Sequence, residues 1–377
     1  MKAKHGLWMM LMVAAVCAAG CSKGEQTSQG QEASKEPSKE PYTLFIYASS
    51  VAVDEFNDRF KATLEKKFPH ITFKYSAGGK GEAIADLVAR GEIPDIIRTS
   101  IPTLASDYLD LGIGQDMRSF VTKNKYDLKR FEAPFINEMT DAGKSGELYG
   151  LPVPPYYPLV LFYNRDLFDR FGVPYPKDGT SWDDVYDTAR KMSRLDGGTN
   201  YRGFNIYAVG ALRDNPYSLP ILDPKSDQLA DMDKWKTIFD NFSRFFTLPN
   251  NAIEKTVNAE TDAFVKGNVA MHINSFSIAA VNKVPKDANW DIVSYPTMKG
   301  APQVTGQRGP AYWSLTKQGK HQEEAFQVIM HMLSDEVQMS DSRKGATTTL
   351  NNKEIQNALG KDHPVYSTKN MKAISVY

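Results

Sequence analysis

Cysteine is almost absent. Of 377 residues only Cys17 and Cys21 carry a thiol, and both lie in the first 21. Beyond them nothing supplies a disulfide framework, a thiolate zinc site, an iron–sulfur cluster or a cysteine nucleophile. Charge of one sign is missing too. Lys+Arg and Asp+Glu number 45 each, which excludes the basic profile of a general nucleic-acid binder. The six histidines, His5, His70, His272, His321, His331 and His363, show no zinc-ligand spacing. There is no Gly-x-Ser-x-Gly elbow and no calcium loop. Gly78-Gly79-Lys80-Gly81 lacks the upstream glycine and the Ser or Thr of a phosphate loop, so it reads as a strand-to-helix turn. Asp223, Asp227, Asp231 and Asp233 lack the turn glycine and terminal Glu of a cation loop and read as a solvated loop. No cofactor and no metal are expected. Paired carboxylates for glycoside hydrolysis are defined by separation in space, and that chemistry stays open.

What is present begins with an address. Lys2 and Lys4 precede an apolar run over residues 7–16, too short to span a bilayer comfortably. Ala18, Ala19 and Gly20 then lead into Cys21. This resembles a bacterial lipoprotein signal, residues 1–20, with Cys21 lipidated as the first mature residue. Ala18 stands where such signals usually carry Leu, and an ordinary secretory signal cleaved nearby is the alternative. Residues 21–41 contain no large apolar side chain before Tyr42, so they read as a disordered tether to the outer face of the cell membrane. Loss of the signal removes two lysines and no acids, leaving a slight acidic excess that points to no charged partner.

From Tyr42 the texture becomes α/β. Residues 42–48 read as a buried strand, and Val53, Phe56, Phe60 and Leu64 recur at helical spacing. A second strand over 72–76, a helix carrying Ile84, Leu87 and Val88, and a third strand from Pro94 follow. That alternation predicts a doubly wound, mostly parallel sheet, with ligands expected at the carboxyl ends of its strands. A second α/β segment opens at 159–163, with a capping box at Ser181 and Asp184. Helices are expected over 232–246 and 322–333, and a strand over 290–295. At 377 residues, two lobes are the default, because one core rarely grows past about 250–300 residues.

Aromatic residues in Pro- and Gly-rich settings stand out. Tyr156 and Tyr157 lie between prolines, Phe276 follows Asn274-Ser275, and Tyr312-Trp313 follow Arg308-Gly309-Pro310. Tyr and Trp offer a flat apolar face with a polar edge, which suits sugar rings, although most aromatics fill cores.

Several segments in one order resemble the bacterial extracellular solute-binding proteins of ABC transporters, family 1. They are LVARGEIPDII at 87–97, LYGLP at 148–152, YNRDLF at 163–168, FGV at 171–173 and SWDD at 181–184. FVKGNVAMHI at 264–273, WDIVSYP at 290–296 and the segment 320–338 complete the order. The resemblance implies a periplasmic-binding-protein-like fold of two α/β lobes joined by hinge strands, each lobe a doubly wound, mostly parallel sheet. It implies lobes at 42–155 with 296–336, and at 156–295 with 337–377. It implies a non-enzymatic, monomeric receptor that captures a sugar or oligosaccharide by hinge closure and passes it to ABC permease subunits. Carried over by position, the ligand contacts are Ser50, Gly79 and Ser100 from one lobe. Tyr156, Tyr157, Asn274, Phe276, Arg308, Tyr312 and Trp313 would come from the hinge and far side. The alternatives are a secreted lipoprotein glycoside hydrolase and a receptor for a membrane histidine kinase. Relatives usually continue for several dozen residues beyond the segment matching 369–377, so the chain is expected to be either a truncated or a natural short form.

Overall fold

The computed structural model describes residues 40–376 apart from 224, 225, 227, 278–287 and 305. The expected signal, Cys21 and all but the end of the tether lie outside the described residues. The strands of the first part are β1 (Tyr42–Tyr47), β2 (Ile71–Ser76), β3 (Ile96–Thr99) and β4 (Leu151–Val153). Next come β5 (Tyr157–Asn164), the small hairpin β6 (Arg194–Asp196) and β7 (Thr199–Tyr201), then β8 (Asn205–Ile206) and β9 (Met271–Ser275). The last are β10 (Trp290–Ser294), β11 (Gln307–Arg308) and β12 (Ala311–Leu315).

Two five-stranded sheets organise the molecule. The first runs β2-β1-β3-β12-β4, and the second runs β10-β5-β9-β8 with β11 added to β5. In the first, β1 pairs in parallel with both β2 and β3, while β12 enters antiparallel between β3 and β4. In the second, β5 is antiparallel to β9 and β10, and β8 is parallel to β9. Local chemistry explains the covering helices. Phe56, Phe60 and Leu64, four residues apart, are buried along one face of the helical run 53–67. At Trp182–Met192 the Ser181 hydroxyl accepts the Asp184 N–H at 3.1 Å, and Asp184 accepts the Ser181 N–H at 3.0 Å. That reciprocal capping is the one expected from the sequence. Asp231 caps Met232–Phe246 by accepting the Lys234 N–H. This gives one member of the 223–233 acidic group a structural role.

The cores are separate. One gathers Leu44 to Val153 with Ala311 to Ile355. A second and a third share the β5 sheet, gathering residues from Leu159 to Tyr295 and from Val160 to Ile374. Among the described residues, the chain therefore crosses between lobes three times, near 154–156, 309–310 and 356–358. Beyond the division expected at 336, Val337, Leu350 and Ile355 pack in the first core. The reason is a buried ion pair. Arg59 reaches Asp341 at 2.8 Å, fastening helix Asp335–Arg343 to the helical run 53–67, and also donates to the Pro154 carbonyl at 3.1 Å. Tyr366, Ala373 and Ile374 pack against the second sheet.

Candidate functional site

Parallel pairing of β2, β1 and β3 brings their carboxyl ends to one edge of the first sheet. Ser50, Gly79 and Ser100 follow those three ends. Ser50 is exposed with φ 66°, a left-handed backbone that non-glycine residues adopt only when the surroundings enforce it. Gly79 has φ 142° and open space where a Cβ would project. The Ser100 hydroxyl is 3.1 Å from that of Thr103. Across the hinge, β11 pairs with β5 so that Arg308 lies opposite Tyr157, its guanidinium carbon 5.8 Å from the Tyr157 ring centroid. Asn274, on β9 opposite Val160, is half-buried, and its side-chain carbonyl accepts the Ser275 N–H at 2.8 Å.

Three of the expected aromatic contacts are placed in cores instead. Trp313 is 1% exposed, with its ring edge on Phe60, because β12 runs between β3 and β4 in a sheet covered on both faces. Tyr312 is 0% exposed, and its hydroxyl donates toward the Phe135 carbonyl at 2.9 Å and Glu138 Oε2 at 3.0 Å. Phe276 is 1% exposed and packs on Tyr366 at 4.8 Å. Gly309-Pro310 set Tyr312 and Trp313 apart in the sequence, but the pair only delivers the chain into a central strand. Buried on both ring faces, these three side chains have no free face for a ligand.

Tyr156 occupies a different environment from Tyr157. It lines a cavity of about 1010 Å³ that takes walls from both lobes. From the first lobe come Phe135 and Glu138 on helix Ala133–Ala142, and from the second Asp214 and Asn215 after helix Ala208–Arg213. Thr347, Thr348 and Gln356 close it near the third crossing. The Tyr156 ring packs 5.3 Å from Phe135, and burial pushes its hydroxyl up to about 12. Burial also raises the Glu138 carboxyl, and the negative charge of Asp214 across the cavity adds to the rise. The Tyr312 hydrogen bond opposes it. Asp214 is held by its neighbour Arg213, and Gln356 donates to Glu132 at 2.8 Å. The cavity thus offers an aromatic wall and an array of carboxylate, amide and hydroxyl groups. Of the residues expected from the sequence, only Tyr156 lines it. The others span residues 132–375 with no mutual spacing, so no motif announced them.

The chain matches the model of the family described as bacterial extracellular solute-binding protein over residues 47–339. No curated protein sequence matches it. Among solved structures, it is similar to an ABC substrate-binding protein from Listeria monocytogenes in complex with cycloalternan. That likeness has 17% identity, covers 89% of this chain and 86% of the other, and has a TM-score of 0.65. A sugar transporter from Rhizobium etli in an open conformation is 18% identical, covering 88% and 87%, with a TM-score of 0.68. A probable secreted solute-binding lipoprotein from Streptomyces coelicolor is 15% identical, covering 90% and 87%, with a TM-score of 0.69. At such identities the likeness establishes the two-lobed fold. The family match runs from the end of β1 into helix Asp335–Arg343 and so spans both lobes; the chain belongs to the bacterial extracellular solute-binding protein family.

Proposed function

We propose that the protein is a receptor that captures a sugar or oligosaccharide between its lobes by hinge closure and delivers it to an ABC importer. A lipid on Cys21 would hold it at the outer face of the cell membrane. The observation that carries this reading is the cavity of about 1010 Å³ walled by both lobes. Its volume lies at the upper end of the range of about 300–1,000 Å³ typical of small-molecule sites. Tyr156 offers a flat ring for the apolar face of a pyranose, and carboxylates such as Glu138 and Asp214 accept from its hydroxyls. Ser50, Gly79 and Ser100 at the edge of the first sheet, and Tyr157, Asn274 and Arg308 on the second, would supply further contacts. A ligand that touches both lobes favours the closed form by its differential affinity, with no covalent step.

The named ligands of the structural relatives support the substrate class. They include cycloalternan, and acarbose for a receptor from Streptomyces glaucescens. The test is a thermal-shift screen of the protein against mono- and oligosaccharides. A ligand at about 100 times its Kd stabilises by about 2.7 kcal/mol, a shift of a few degrees in a protein of this size. A shift with a peptide or polyamine and none with any saccharide overturns the substrate class, and release of reducing sugar replaces the receptor with a hydrolase. For the anchor, Cys21→Ser is expected to release the protein into the medium, and membrane retention of that variant counts against lipidation.

A further inference from the structure

Among the described residues, Arg98 is a charge with no carboxylate in ion-pair contact. It lies in β3 opposite Trp313 of β12, half-buried, and within electrostatic reach of Arg59, Glu55, Tyr75 and Tyr157. Neighbouring Arg59 is fully matched, by Asp341 at 2.8 Å and Glu55 at 3.3 Å. Among the described residues, nothing accepts a hydrogen bond from the Arg98 guanidinium or forms an ion pair with it. Arginine cannot escape burial by losing its proton, so a half-buried guanidinium left unmatched costs stability. Burial acts on it in that sense, and the positive charge of Arg59 reinforces the effect.

Arg308 is the second free guanidinium. It is exposed, takes no carboxylate partner among the described residues, and stands over the Tyr157 ring at 5.8 Å. Tyr157 begins β5 immediately after the first crossing. It therefore stands within reach of two unmatched cations, Arg98 from the first lobe and Arg308 from the second. The contrast with the Tyr156 cavity is one of sign, since that side carries Glu132, Glu138, Asp141 and Asp214 against Arg213 and Lys353. The hinge region thus has an acidic side at Tyr156 and a basic side at Tyr157.

We propose that Arg98 and Arg308 form an anion subsite beside Tyr157, which takes the carboxylate or phosphate of an acidic saccharide. The inference deepens the receptor reading above and rests on it. A guanidinium fork matches carboxylate and phosphate oxygens in pairs, and the charge-assisted bonds are the strong ones. Because the two arginines belong to different lobes, an anion held by both favours the closed form over the open one.

The test is calorimetric titration of the protein with a digalacturonate, a hexose phosphate and a neutral disaccharide. Wild type, Arg98→Gln and Arg308→Gln are compared. An anionic probe is expected to bind about tenfold or more tighter than the neutral one, with affinity that falls as salt rises. Arg98→Gln is expected to abolish that preference, leave neutral-sugar affinity unchanged, and not lower the melting temperature of the unliganded protein. If Arg98→Gln fails to fold, exposed Arg308→Gln is read instead by the loss of the anionic preference and of its salt dependence. Neutral binding as tight as anionic binding, or an unchanged preference in the variants, overturns the anion subsite and leaves the receptor reading standing. Binding of no saccharide, acidic or neutral, overturns both.

Discussion

Glu260→Gln is expected to cost about 3–5 kcal/mol of stability in the second lobe, read by urea or guanidinium unfolding. Glu260 accepts both arms of the Arg202 guanidinium, at 2.9 and 3.0 Å, and the two side chains are only 5% and 6% exposed. One carboxylate oxygen also accepts the Glu254 N–H at 2.7 Å, and the Glu260 carbonyl accepts from the Asn205 amide. Asn205 in turn receives the His272 ring at 2.6 Å, a ring that burial, together with Arg202, holds neutral by lowering its pKa to about 3. Neutralising Glu260 leaves the Arg202 charge buried, with only the half-exposed Glu254 at 3.8 Å to answer it. Removing one member of a buried pair is costly because the other stays desolvated and unmatched. A loss below about 1 kcal/mol would mean that Glu254 swings in to replace the pair, and the network would then be less rigid than it looks.

Trp313→Ala acts on the other lobe by a different route. Trp313 fills the centre of the first sheet at 1% exposure, between Phe60 and the strands on either side. Truncation there opens a cavity that neighbouring side chains cannot close, costing about 3–5 kcal/mol. Its indole N–H is buried without a partner, so part of the cost is offset when that donor is removed. The lower half of the range is the expectation. Trp313→Phe removes the same orphan donor while keeping most of the packing, and should stay within about 1.5 kcal/mol of wild type. With two lobes joined by three crossings, unfolding has room for two transitions, and only the one reporting the first lobe should move. If ligand affinity falls in Trp313→Phe while stability holds, Trp313 is a ligand contact after all and the packing role is wrong.

These two residues show what pattern and position can each reveal. Periodicity was enough for β1, the helical run 53–67, the capping box at Ser181 and helix Met232–Phe246, because each is fixed by neighbours within a few residues. Local context misplaced Trp313 and Tyr312. A Gly-Pro pair says how the chain enters a segment, but strand order decides whether that segment is central. The packing of residues just beyond 336 was hidden for the same kind of reason. Arg59 and Asp341 are 282 residues apart, and their pairing carries Val337 into the first core.

The sequence by itself determined the α/β class, the two-lobed architecture, the family and a chain with no thiol beyond Cys21, all properties of composition, period and motif order. Tertiary structure alone decided which side chains face the space between the lobes. Tyr156 and Tyr157 are neighbours in sequence, yet one lines an acidic cavity and the other meets the free guanidiniums of Arg98 and Arg308. Their partners come from strands and helices far apart in the chain. Which charges remain unmatched is a property of those long-range pairings, which no local pattern encodes.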